Sequence, residues 1–394
     1  MPLASAGAHH RRPSAAAARF PIAIMSVPLL DLRAQHAAIR DEVLSVVTEV
    51  VDSQHFILGG KVEELERQVA ELSRTRYAIG CANGTDAILL ALRAVDAGRG
   101  SEVITTPFTF FATAGTIHNV GATPVFVDID PDTFNISPEA AAAARTSKTA
   151  AVIPVDLFGQ MANIEGVASR LPGLPLIEDA AQSIGARRRI DGEWRMAGEV
   201  ATIGTFSFFP SKNLGGYGDG GMVVTQDEAL ATRLRRLRVH GGAKQYFHDE
   251  VGYNSRLDAL QAAVLSAKLP YLAAWSAKRR ENAAFYDAAF ADLDGVRTPV
   301  IDPANESIFN QYTIRAERRD ELQAHLNGRK VGNSIYYPLP LHLQPCFAYL
   351  GYKPGSCPEA ERAAGQVLSL PIYPELTAAQ LDEVVSAVRG FYGR

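Results

Sequence analysis

The sequence is poor in cysteine, with only Cys81, Cys346 and Cys357 among 394 residues. An odd count without any C-x-x-C pair argues against a disulfide framework and against a zinc site, so no metal is expected and a reducing, cytoplasmic compartment fits. Long apolar runs are missing too. The longest near the start, Phe20 to Leu30, is broken by Pro21 and Pro28 and falls well short of the ~20 residues that cross a bilayer. No membrane partner is expected. Neither sign of charge is in surplus, since 39 Lys+Arg stand against 43 Asp+Glu for a formal charge of −4 with His neutral. That balance excludes the basic face of a nucleic-acid binder and the acidic tail of a disordered chain.

What is present suits a filled core: 47% hydrophobic and 21% charged residues, in a chain long enough to divide between two domains. The stretch Met1 to Ile24 carries His9, His10, Arg11, Arg12 and two alanine clusters. It lacks the uninterrupted apolar segment of a signal peptide, so residues 1–25 read as a disordered leader ahead of a second start at Met25.

From Asp31, Ile39, Val43, Val46, Val47 and Val50 recur at spacings of three and four, and Val62, Leu65, Val69 and Leu72 repeat the pattern. Two amphipathic helices are predicted. The period then changes to short apolar runs at 77–82, 102–106, 124–129, 151–156, 175–178, 201–208 and 222–225. Alternating with helical stretches, these runs predict an α/β domain around a mostly parallel sheet covered on both faces. Thr225-Gln-Asp-Glu228 and Thr377-Ala-Ala-Gln380 have the spacing of capping boxes and place two helix starts. One long helical region is expected over 257–286, with strands near 312–315 and 334–337. The expected division is a large domain over 26–290 and a smaller C-terminal α+β domain over 291–394.

In an open parallel sheet ligands bind beyond the carboxyl ends of the strands, and several of those ends carry unusual residues. Asn83-Gly84-Thr85-Asp86 leads straight into a helix. Free amides, a glycine that permits close approach and a Thr hydroxyl make a phosphate cradle there, although plain capping explains the same residues. Glu178 and Asp179 close an apolar strand, where a carboxylate is costly unless a cation or strong donors meet it. Asp179 therefore needs a positive partner. Ser207-Phe-Phe-Pro-Ser-Lys212 ends an aromatic strand with two serines and a lysine. Apolar surroundings lower a lysine's proton affinity, as a Schiff-base nucleophile requires near neutral pH; a lysine reaching out to water fits the spacing equally well. Gly216-Tyr-Gly-Asp-Gly-Gly221 matches the dinucleotide pattern G-x-G-x-x-G, but a strand rather than a helix follows it. A nicotinamide site is rejected, and a flexible turn beside a ligand is expected.

Together, Ala82-Asn-Gly-Thr-Asp-Ala87, Thr106-Pro-Phe-Thr-Phe-Phe-Ala-Thr113, Glu178-Asp-Ala-Ala-Gln182, Ser207-Phe-Phe-Pro-Ser-Lys-Asn-Leu-Gly215 and Gly252-Tyr-Asn-Ser-Arg-Leu-Asp-Ala-Leu-Gln261 resemble the DegT/DnrJ/StrS sugar-nucleotide aminotransferases. The likeness runs from Val27 to Pro374, nearly the whole chain after the leader. It implies the fold type I of transferases that depend on pyridoxal 5′-phosphate (PLP), with a mostly parallel central sheet and a small C-terminal domain. By resemblance, Lys212 binds PLP covalently and then moves the substrate proton. Asp179 pairs with the pyridinium nitrogen, Gln182 bonds the ring's phenolic oxygen, and Phe110 stacks on the ring. Ser207, Thr85 and the Gly84 amide hold the phosphate, with Asn254 reaching it from the other subunit of a homodimer. Arg256 is a candidate carboxylate clamp, with a structural ion pair as the alternative. Tyr336, Tyr337 and His342, in a run that resembles the segment lining the family's sugar-nucleotide pocket, are candidate base or sugar contacts, though for His342 alone a satisfied structural histidine is the better reading. One departure stands out: Ile184 occupies the place, two residues after Gln182, where many relatives carry histidine.

The implied activity is transfer of an amino group from L-glutamate to a keto sugar on a nucleoside diphosphate, with a UDP-linked 3-keto hexose or uronate first. A dTDP-linked 3-keto or 4-keto deoxysugar is the alternative. A dehydratase branch with histidine at the Schiff-base position is disfavoured by Lys212. A non-catalytic regulatory dimer and a nicotinamide dehydrogenase are the readings from other classes.

Overall fold

The computed structural model describes residues 26–393, so the leader expected over 1–25 lies outside the described residues. The chain enters through helices α1 (Leu32–Ser53) and α2 (Gly60–Leu72). Asp31 caps α1, its carboxylate accepting from the amides of Arg33 at 3.0 Å and Ala34 at 3.1 Å. The apolar stripes expected from the sequence are the buried faces: Ile39, Val43 and Val50 on α1, Val62, Leu65 and Val69 on α2.

The first five expected strands then alternate with helices: β1 (Tyr77–Cys81), α3 (Gly84–Ala94), β2 (Glu102–Thr105), α4 (Phe111–Asn119), β3 (Thr123–Phe126), α5 (Pro138–Ala143), β4 (Thr149–Ile153), α6 (Ile164–Arg170) and β5 (Ile177–Asp179). A hairpin that the apolar runs did not announce follows, β6 (Arg187–Ile190) and β7 (Glu193–Met196). Its Asp191-Gly192 link has positive φ at both residues, the geometry that closes tight two-residue hairpins. Strands β8 (Ile203–Ser207) and β9 (Gly221–Thr225) complete the central layer, with α7 (Glu228–Leu237) behind them.

The strands line up as β1-β9-β8-β5 and β3-β2-β4. Parallel bridges from Val152 to Leu176 and from Val155 to Asp179 join the two groups into one layer. Only β9 runs against its neighbours within that layer. Neighbouring residues of each strand serve opposite faces. Ile79 and Val223 pack with Ile88 and Leu92 of α3 and Leu234 of α7, whereas Ala78, Met222 and Val224 pack with Leu65 of α2 and Leu265 of the later helix α8 (Ala259–Lys268). Burial on both sides explains why the strands read as unbroken apolar runs.

Beyond α8 comes α9 (Leu272–Phe290), followed by β10 (Val296–Arg297), β11 (Asn305–Glu306), β12 (Tyr312–Ala316), α10 (Arg319–Gly328), α11 (Pro358–Gln366), β13 (Val367–Leu370) and α12 (Ala378–Phe391). Strands β10, β12 and β13 form an antiparallel sheet. Its core joins Tyr312 and Ile314 to Tyr286 of α9, Leu368 of β13 and Val384 of α12.

Several local expectations are corrected. Thr225 does not open a capping box: it ends β9, and α7 is capped two residues later by Asp227, whose carboxylate accepts from the Leu230 amide at 3.0 Å. The Thr225 hydroxyl instead donates to the Thr202 carbonyl at 2.8 Å. The box at Thr377 and Gln380 does form. The helical region expected over 257–286 does form, as α8 and α9 joined by a 3-10 turn at Leu269–Tyr271, where Pro270 removes a backbone donor. Residues 334–337 make no strand; a single bridge from Ser334 to Ser369 is all that forms. Among the described residues no helix is long and apolar enough to cross a membrane, and no group of three or more His, Cys, Asp or Glu is placed to hold a metal.

Candidate active site

The carboxyl ends of β1, β5 and β8 open into one cavity of about 630 Å³. At the end of β1, the Asn83 side chain caps α3 by accepting from the Asp86 amide at 2.8 Å. The capping and cradle readings are therefore compatible, since the cap leaves the first-turn amides of Gly84 and Thr85 at the cavity wall. Gly84 lies so close to the end of β8 that a Cβ on it would stand 2.6 Å from the Ser207 Cβ. Helix end and hydroxyl thus converge.

Asp179 closes β5 and is 5% exposed. Its carboxylate accepts from the Thr113 hydroxyl at 2.7 Å and the Ala181 amide at 3.3 Å. Burial pushes its pKa up, against these hydrogen bonds and the attraction of Lys212. Lys212 follows β8 and lines the same cavity. Burial lowers the pKa of its amine to about 8, while the Asp179 charge pulls the other way. The cation that Asp179 needs is thus partly supplied by Lys212.

Glu178 points away from this pair. One of its oxygens accepts from the Gly198 amide at 2.9 Å, and beside it the buried Asp156 accepts from the Ala162 amide at 2.8 Å and the Ser183 hydroxyl at 2.7 Å. Burial raises the pKa of both carboxyls. They form a polar layer beneath the site.

Gln182 is held by two contacts: its Oε1 accepts from the Phe158 amide at 2.6 Å and its Nε2 donates to the Tyr337 hydroxyl at 3.3 Å. Phe110, Tyr336 and Tyr337 complete the wall, with the Phe110 and Tyr337 ring centroids 6.4 Å apart. The structure therefore brings Gly84, Thr85, Phe110, Asp179, Gln182, Ser207, Lys212, Tyr336 and Tyr337 together. It does not bring Asn254, Arg256 or His342 to that wall. Asn254 is exposed and Arg256 half-buried. His342 is buried elsewhere, with Nε2 3.0 Å from Glu361. Ile184 belongs to the apolar core under the sheet. Sequence reasoning did not single out Asp219, Ser211 or Gln311, which also line the cavity. Asp219 and Ser211 stood inside quoted motifs, but Gln311 carries no local signal because the fold delivers it from a distant segment.

Comparison with known proteins places the whole chain. A pleiotropic regulatory protein of Geobacillus stearothermophilus is 52% identical over 93% of this chain and 99% of its own length. The UDP-N-acetyl-3-dehydro-alpha-D-glucosamine 3-aminotransferase of Acidithiobacillus ferrooxidans is 44% identical over 92% of this chain and 97% of its own. Among solved structures, DesV of Streptomyces venezuelae, crystallised in complex with a ketimine intermediate, superposes with a TM-score of 0.90 at 42% identity, covering 93% of this chain and 99% of that one. Residues 37–389 match the model of the DegT/DnrJ/EryC1/StrS aminotransferase family, and the chain belongs to that family.

Proposed function

We propose that this chain transfers an amino group from L-glutamate to a nucleotide-linked keto sugar, with a UDP-linked 3-keto hexose or uronate as the first choice of acceptor and PLP as cofactor. The observation that carries the reading is the convergence, on one cavity, of a lysine with lowered proton affinity, a buried carboxylate and a helix N-terminus beside a serine hydroxyl. These groups fit PLP in kind. Amides and hydroxyls of Gly84, Thr85 and Ser207 suit a phosphate, which needs no basic surface. Asp179 suits a protonated ring nitrogen, Gln182 a phenolic oxygen, and the Phe110 face an aromatic ring. Bound PLP supplies an electron sink that stabilises a carbanion.

The chain's own residues do the rest. Asp179 would hold a proton on the ring nitrogen of bound PLP, from a pocket where solvent does not compete. With PLP bound, the amine of Lys212 would take the proton from the donor carbon and later return one to the acceptor carbon. An amine near pKa 8 suits both directions at neutral pH. Tyr336 and Tyr337 face the cavity where the sugar would enter. Arg256 is a clamp for a carboxylate of the donor or of an acidic sugar, and Asn254 reaches the phosphate from the second subunit of a homodimer. Both roles require the exposed segment around 241–256, with Tyr246 at 85% and Phe247 at 63% exposure, to meet another copy of the chain. The expected division, 26–290 and 291–394, would set the cavity between a large and a small domain.

The UDP-sugar relative supports the first acceptor, with dTDP-linked 3-keto or 4-keto deoxysugars as the alternative. The regulatory name of the 52% identical relative favours one second reading, a regulatory dimer without turnover. Lys212→Ala separates them. An enzyme loses both turnover and the yellow species that borohydride fixes to the protein, whereas a wild-type chain that is colourless and takes up no PLP contradicts the proposal.

A further inference from the structure

The turn that carries Lys212 is tightly wound and held at two points. Gly215 closes it so closely that a Cβ there would lie 2.3 Å from the Pro210 carbonyl oxygen. On one side Asn213 ties it down, donating to the Ile308 carbonyl at 3.0 Å and accepting from Asn310 at 2.7 Å. The other side rests on α8. Lys268, 1% exposed, donates from Nζ to the Gly215 carbonyl at 2.5 Å. Its ammonium also lies 5.4 Å from the Tyr217 ring and 5.9 Å from the Trp275 ring. Two turns back on α8, Gln261 accepts from the Tyr217 amide at 2.8 Å, and the Tyr217 hydroxyl meets His36 of α1 at 2.6 Å. The glycine-rich stretch 216–221, which mimics a dinucleotide loop, is thus a strap that α1 and α8 grip.

A buried ammonium loses its hydration and needs a reason to be there. Lys268 donates its hydrogen bond to a carbonyl, and Glu375 gives it only longer-range attraction. Arg279 and Asp31 act in turn on Glu375. We propose that Lys268 is a positioning residue for transamination: through the Gly215 carbonyl and the Tyr217 ring it fixes the 210–218 segment so that Lys212 presents its amine to the cavity. This rests on the reading of Lys212 as the lysine that binds PLP. Tyr217, with His36 beyond it, and Glu375 are the titratable groups facing Lys268. Burial brings its own pKa down to about 8, so the cation's attraction to the two rings fades above that pH.

The test compares full-length wild type with Lys268→Met and Lys268→Gln. Each is mixed with PLP, quenched with borohydride at intervals, and mapped by peptide mass spectrometry, with kcat and KM for L-glutamate measured in parallel. Lys268→Met keeps the apolar stem but loses the donor and the charge. It should remain folded and modify Lys212 on the order of tenfold to a hundredfold more slowly, since about 1 Å of misplacement carries penalties of that size. Its kcat should fall with little change in KM, and Lys268→Gln, which keeps a neutral donor, should recover much of the rate. A Lys268→Met chain that modifies Lys212 and turns over like wild type overturns the proposal, whatever its melting temperature. Should that variant fail to fold, Gln261→Met removes the strap's other hold on α8. Slower modification of Lys212 then supports the proposal, and a wild-type rate counts against it. Failure of wild type itself to be modified at Lys212 would instead contradict the PLP reading, and it shows before any variant is compared.

Discussion

At the scale of single residues, Lys212 and Asp179 set each other's chemistry. With the folded amine of Lys212 lowered from 10.5 to about 8, the folded and unfolded chains both hold its proton below that lower value, and there the buried charge costs stability. Between about 8 and 10.5 the folded amine is neutral while the unfolded one still binds a proton, so folding gains from this group as pH rises through that window. Reductive methylation of Lys212 in the PLP-free chain, followed by mass spectrometry, should rise with a midpoint near pH 8. Asp179→Asn removes the charge that supports the ammonium, so the midpoint should move lower. An unchanged midpoint would show that the two groups are not coupled. Turnover should also fall on the order of a hundredfold or more, as for other losses of preorganised electrostatic support.

At the scale of elements, α3 and its approach to β8 decide the phosphate end of the site. Gly84→Ala places a methyl 2.6 Å from the Ser207 Cβ and 3.1 Å from its Cα, and a backbone neighbour cannot step aside as a flexible side chain can. The first turn of α3 must shift, so PLP affinity should weaken on the order of tenfold, within the ~1–3 kcal/mol typical of overpacking. Titration of the cofactor-free chain with PLP measures this; equal affinity would place the phosphate elsewhere. At the far end, Thr377→Ala opens the capping box of α12 and should cost ~1 kcal/mol in a denaturant titration without changing PLP affinity.

The same elements show what could be read in advance. The central strands were legible because apolar residues on both faces leave no polar alternation to confuse. The β6–β7 hairpin was not, because Arg187, Arg188 and Arg189 hide its period, and the carboxylates that meet the first two, Glu306 for Arg187 and Glu165 and Asp302 for Arg188, come from elsewhere in the chain. Thr225 misled because capping chemistry is local and ambiguous: Asp227, two residues on, accepts the amide that fits the actual helix register. In the cavity, motif residues were visible in sequence, whereas Gln311 and the grip of Lys268 on Gly215 depend on contacts between distant segments that spacing alone does not encode.

At the scale of the whole molecule, the exposed Asn254 gives the proposed homodimer a direct test. If Asn254 completes the partner's site, mixing Lys212→Ala with Asn254→Ala chains and letting subunits exchange should restore turnover. One of the two sites in each mixed dimer would then hold both native residues. If Asn254 serves its own chain, no site is whole and mixing restores nothing. The near balance of charge is compatible with the proposed ligand, since a small anion can be met by amides and hydroxyls at a helix end.

The central claim is amino transfer, and the absorbance of the PLP-loaded chain tests it most directly. The account predicts a yellow protein that L-glutamate bleaches and that a UDP-linked 3-keto hexose turns yellow again as an amino sugar forms. A yellow band that L-glutamate leaves unchanged, or a chain that takes up no PLP at all, would contradict it.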